Sequence, residues 1–94
     1  LGVTQYMLRD YTLAIESHKR ALNIRQTVLG EDHERTANSY HELGVTQYML
    51  RDYTSAIESH KRALNIRQTV LGEDHEKTAD SYHELGATQY MLRD

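Results

Sequence analysis

Along residues 13–29 the apolar positions recur every three or four residues. Ala14, Ile15, Ala21, Leu22, Val28 and Leu29, with His18 in the same stripe, fall on one side of a helical wheel; Glu16, Lys19, Arg20, Asn23, Gln26 and Thr27 fall opposite. That is the pattern of an amphipathic helix. A second stripe, Ala37, Tyr40, Leu43, Gly44, Gln47 and Leu50, marks another helix from His33 to Leu50. Thr12 and Thr54 are expected N-caps, and Asp32 or His33 is expected to cap the next helix, with Glu34 well placed in its first turn. Gly30 and Gly72 stand where a left-handed C-terminal cap belongs. With no proline and few strong β-formers in alternation, the pattern predicts helices near 1–9, 12–29, 33–50, 54–71 and 75–92. Short turns join them, RDYT at 51–54 and GEDH at 30–33.

Displacing the chain on itself by 42 residues matches 39 of 42 positions between residues 1–42 and 43–84. The exceptions are Leu13 with Ser55, Arg35 with Lys77 and Asn38 with Asp80. A third copy begins at Leu85 and differs from the second only at Ala87, where the second has Val45. The chain is therefore expected to be one domain, 1–94, made of repeats 1–42 and 43–84 and a partial repeat 85–94. A period of this length implies an all-α solenoid of stacked antiparallel helical hairpins, each burying its apolar face only against its neighbours. Gly44, Ala56 and Ala63 suit close approach of one helix to the next. A glycine inside a helix costs about 1 kcal/mol relative to alanine, so its recurrence at Gly2, Gly44 and Gly86 asks for a packing reason.

Composition narrows the function. Eleven basic against 14 acidic residues give a net charge of −3 with no like-charge run, which argues against a nucleic-acid surface. There is no cysteine, so disulfides, thiolate chemistry and Cys-type zinc sites are excluded. No stretch approaches the roughly 20 apolar residues needed to span a bilayer. The expectation is a soluble, cytoplasmic chain that engages neither membrane nor nucleic acid. Because it starts at Leu1, it reads as a processed piece or a fragment of something longer.

Tyr40, Leu43 and Gly44, followed by Tyr53, Ala56 and Ala63, resemble the signature of the tetratricopeptide repeat: an aromatic before Leu and Gly in the first helix, alanines in the second. Gln47 and His60 occupy slots where that family usually has aromatics, and the proline that ends its second helix is missing. The usual 34-residue period is also lengthened to 42. The segment ALNIRQTVLGEDH is similar to the longer second helix and turn of kinesin light chains and nephrocystin-like proteins. The resemblance implies a right-handed superhelix whose first helices line a concave wall that binds peptides. On this chain that wall carries Asn38, His41, Val45, Tyr48 and Met49, and in the next copy Asp80, His83, Ala87, Tyr90 and Met91. The Lys, Arg and Asn set with which the family grips C-terminal carboxylates is absent there, so chaperone-type acidic tails are not expected to bind.

The stretch LGEDHERTANSYHELG, residues 29–44, concentrates histidines and carboxylates. His33 and His41 are eight residues apart, about 12 Å along a helix, whereas a helical metal pair needs a spacing of three or four. No metal or cofactor is expected, although stacking brings His41 and His83 near enough for a metal to bridge them. No nucleophile triad, phosphate loop or carboxylate cleft is present, so the chain reads as non-catalytic. His18 and His60 read either as core histidines bonded through one nitrogen, to Tyr11, Tyr53 or a carbonyl, or as a pH switch. Arg25 and Arg67 lie in the same stripe and are expected to pair with Glu31, Glu34 or Glu42, or else to snorkel into water. Two functional readings follow. One is a protein-interaction scaffold that binds a peptide or partner helix in the concave groove. The other is a structural array stacking head-to-tail into a homo-oligomer through open, complementary ends.

Overall fold

A computed structural model describes residues 2–93, with side chains from residue 9 onward. The start of the first helix at Leu1 and the packing role expected of Gly2 lie outside what is so described. Four helices follow one another: α1 (Gly2–Leu29), α2 (Glu34–Met49), α3 (Tyr53–Val70) and α4 (Glu76–Leu92). α2 packs against both α1 and α3, and α4 packs against α3, within an envelope of 44 × 34 × 18 Å. No helix among the described residues is long and apolar enough to cross a membrane.

The caps explain where the helices stop. Gly30 and Gly72 adopt φ of 93° and 99°, a left-handed conformation that glycine reaches without steric cost, and each turns the chain out of a helix. The Gly30 and Gly72 carbonyls then accept hydrogen bonds from the Thr36 and Thr78 hydroxyls at 2.9 and 2.8 Å. His33 caps α2 and His75 caps α4, each accepting through Nδ1 from the backbone N–H two residues on, at 3.0 Å. Two of the recurring histidines are thus helix caps. The cap of α3 is Asp52, whose Oδ1 accepts from the Ser55 N–H, rather than the expected Thr54.

A larger departure concerns the first two expected helices, and with it the cap expected at Thr12, which lies inside α1. The separate helices at 1–9 and 12–29 are a single helix, although MLRDYT occurs identically at 7–12 and 49–54. In the second copy the segment turns, with Arg51 at φ 64° and Asp52 N–H donating back to the Gln47 carbonyl at 2.9 Å. A left-handed non-glycine residue costs about 1–2 kcal/mol. Folding back lays Leu43, Gly44 and Gln47 onto α3, and that burial offsets the cost. Through residues 9–12 the helix simply continues, keeping its backbone ladder.

The core is narrow. Ala37, Tyr40, Ala63 and Ile66 form it, with Leu22 against its edge. Each alanine admits a neighbouring helix, so the packing depends on what stacks above and below rather than on a deep interior.

Candidate interaction surface

The joints between helices repeat with the sequence. Where α1 meets α2, Arg25 Nη1 donates to the Arg35 carbonyl and the Ser39 hydroxyl at 3.2 and 2.7 Å. Where α3 meets α4, Arg67 Nη1 donates to the Lys77 carbonyl and the Ser81 hydroxyl at 3.1 and 2.8 Å. Arg67 Nη2 reaches a third helix as well, donating to Asn38 Oδ1 at 3.2 Å. The carboxylate partners expected for these arginines are replaced by carbonyls and hydroxyls. Such groups satisfy a guanidinium without removing a second charge from water. Burial holds the Arg67 guanidinium below its usual range, and Asp80 and Glu34 act in the opposite direction.

Beside each arginine runs a second network. Gln26 Nε2 donates to Glu31 Oε2 and to the Tyr40 hydroxyl, each at 2.7 Å, and Tyr40 donates to Glu31 Oε1 at 3.2 Å. Gln68, Glu73 and Tyr82 repeat the triangle. Burial, then the Glu31 charge, raises the Tyr40 phenol; the hydrogen bond to Glu73 raises that of Tyr82. The apolar periodicity predicts Gln26 on the solvent face and does not single out Ser39 or Ser81. The clue was the strict recurrence of Gln, Glu and Tyr five and fourteen residues apart.

Inside the α2–α3 hairpin, Ser59 donates to Gln47 Oε1 at 2.7 Å. This buried pair fills the slot where the resemblance leads one to expect an aromatic. His60 is fully buried, and neither ring nitrogen has a hydrogen-bond partner, so the expected bond to Tyr53 or a carbonyl is not made. Its ring lies over Gly44, where an added Cβ would stand 2.7 Å away. It also meets the His41 ring edge-on at 5.7 Å between centroids. Burial, with the nearby His41 and Arg67, pushes the His60 pKa down to about 4. Burial likewise lowers that of His41, helped by Arg67, against the pull of Glu84, Asp80 and Glu42.

The residues expected on the concave wall separate into two groups. Asn38 is half-buried and bonded to Arg67; His41 is half-buried against His60; Tyr48 is half-buried and stacks edge-on with Tyr53 at 5.3 Å. Val45 is half-buried and lines a groove between α1 and α2 with His18, His41, Glu42 and Thr46. Met49, Asp80, His83, Tyr90 and Met91 are exposed, Tyr90 by 69 %. α2 and α4 are tied near this surface by a Lys77–Glu34 ion pair at 2.7 Å, whose hydrogen bond lowers the Glu34 pKa. Among the described residues no group of three or more His, Asp or Glu side chains is arranged to hold a metal.

Helices alternating in direction, joined by identical contacts one repeat apart, define an α-solenoid of stacked hairpins. The family model for the tetratricopeptide repeat matches residues 1–69 and 49–94, so the whole chain is covered, and the chain belongs to that family. A search of curated proteins returns no match. Members of the family commonly mediate protein–protein interaction and are generally non-catalytic.

Proposed function

We propose that this chain is a non-catalytic protein-interaction module that docks a peptide or partner helix on the wall formed by α2 and α4. The observation that carries the reading is the exposure of Met49 on α2 and of Tyr90 and Met91 on α4, with Met49 and Met91 one repeat apart. Solitary exposed apolar residues need no explanation, but Met recurring along one wall, with Tyr90 beside the second copy, makes an adaptable contact surface. Asp80 and His83 supply polar contacts within it. Asn38, His41, Val45 and Tyr48 form the floor, held by Arg67, His60 and Tyr53. A surface already ordered by such contacts loses little conformational freedom when a ligand docks.

Selection from a random peptide library displayed on phage tests this. The chain should enrich a recurring sequence pattern whose binding is lost when Met49, Tyr90 and Met91 are all replaced by Ala, with helicity retained by circular dichroism. Failure to enrich, or binding indifferent to the triple substitution, contradicts the assignment.

A further inference from the structure

The stripe that carries Met49 along α2 also carries charge of one sign. Asn38, Glu42, Val45 and Met49 succeed one another at intervals of four, three and four residues, so they share one side of the helix. One repeat on, Asp80, Glu84, Ala87 and Met91 do the same along α4. Glu42 and Asp80 are exposed and Glu84 is half-buried. All three carboxylates pull on the His41 ring, so they converge on one region of the wall. The stripe recurs with the 42-residue period and is a property of the repeated helix rather than of one place in the array. Of the three differences between the full copies, the one that changes charge, Asn38 to Asp80, falls on this stripe and adds a carboxylate.

No lysine or arginine answers these charges. The basic residues of α2 and α4 are Arg35 and Lys77 alone, each in the first turn, and Lys77 is taken by Glu34 at 2.7 Å. That is the one ion pair among the described residues, so Glu42, Asp80 and Glu84 stand without a basic partner. Arg67 lies beneath them and its charge offsets part of that of Asp80. Its guanidinium is nonetheless buried and committed to Asn38, Ser81 and the Lys77 carbonyl. His41 could neutralise the group by taking a proton. Burial, and then Arg67, hold its pKa below the ordinary value, so the ring is uncharged at neutral pH.

Thioethers and unanswered carboxylates thus share one stripe. Methionine adapts to many apolar shapes, whereas carboxylates gathered on one wall attract cations and repel anions. A neutral or acidic segment docked there would desolvate the carboxylates without pairing them, which selects against it. We propose that the partner docked on the α2–α4 wall is a basic segment of another protein, with Lys or Arg side chains set against Glu42, Asp80 and Glu84 and apolar side chains against Met49 and Met91. The inference rests on the docking reading and deepens it by fixing the charge of the partner.

The composition of peptides selected from the displayed library on the unaltered chain tests this. Enriched peptides should be rich in Lys and Arg. A synthetic peptide of the enriched sequence, followed by fluorescence anisotropy, should bind roughly tenfold more weakly to the triple variant Glu42→Gln, Asp80→Asn, Glu84→Gln. Asp80→Asn installs the residue type that already stands at Asn38, so helicity and melting temperature should hold, with circular dichroism as the check. Should the triple variant melt early, salt carries the test, since affinity for the unaltered chain should fall severalfold from low to high ionic strength. Glu42→Lys combined with Glu84→Lys should turn selection toward acidic peptides. Enriched peptides that are neutral or acidic, or binding indifferent to both the triple variant and salt, overturn the proposal. If those peptides still require Met49, Tyr90 and Met91, the docking reading stands without it; failure to enrich any peptide overturns both.

Discussion

His60 carries an electrostatic cost that the fold tolerates only while the ring is neutral. His41 and Arg67 face it, and both oppose a positive charge there, as does burial itself. With a folded pKa of about 4 against an ordinary value near 6.5, the unfolded chain binds the proton more readily. Stability is therefore complete above about pH 6.5 and is lost as the pH falls toward 4, by roughly 3 kcal/mol if His60 acts alone. Thermal melts between pH 7.5 and 4 should show the midpoint falling steadily. His60→Phe should flatten most of that slope and raise the neutral-pH midpoint, because two unpartnered buried nitrogens cost about 1–3 kcal/mol each. A slope unchanged in the variant would assign the acid sensitivity elsewhere. The stripe of apolar residues placed His60 in the core from sequence alone. Its lack of partners was not legible, because it follows from how closely Gly44 lets α2 approach. Arg67 illustrates the same limit: the need for partners was readable, but the choice of Ser81 and a carbonyl depends on helix packing.

At the scale of the element, local sequence and local structure part company at MLRDYT. Three of the five expected segments, 33–50, 54–71 and 75–92, match α2, α3 and α4 to within one residue at each end, and the caps at Gly30, Gly72 and His33 follow from residue type. The fusion of the first two into α1 was not readable, since the same six residues turn in the second copy. A paired substitution exposes the difference. Arg51→Gly relieves a left-handed residue and should stabilise by about 1 kcal/mol, whereas Arg9→Gly, inside α1, should cost about 1 kcal/mol. Urea denaturation of both variants measures the two signs, and equal signs would contradict the two conformations. The helical glycines make a second pair. Gly44→Ala drives a Cβ to within 2.9 Å of all three nearest His60 ring atoms and should destabilise, despite the gain of about 1 kcal/mol in helix propensity. Gly86→Ala meets nothing and should keep that gain, as melts of dilute protein can verify.

Across the whole molecule, stability is passed from helix to helix rather than concentrated in one core. Arg25 and Arg67, Gln26 and Gln68, Thr36 and Thr78 lock successive joints with the same geometry, so each hairpin is shaped by its neighbours. The stacking of like helices was legible from the repeat, whereas the side chains that lock the joints were not, since Gln26 reads as a solvent-facing position and the arginines as partners of carboxylates. Which residues of the wall remain available was not: Asn38, His41, Val45 and Tyr48 share a face with Met49 in the sequence, yet contacts reaching them from other helices leave them half-buried. Large apolar side chains are also exposed on the opposite helices, at Ile24 and Val28 of α1 and Val70 of α3. The central claim is that binding uses the α2–α4 wall and not these. Amide NMR of the isotope-labelled chain, titrated with a peptide selected from the displayed library, distinguishes the two surfaces directly. The account predicts chemical-shift changes clustered at residues 48–49, 80–83 and 90–91, while changes centred on Ile24, Val28 and Val70 would contradict it.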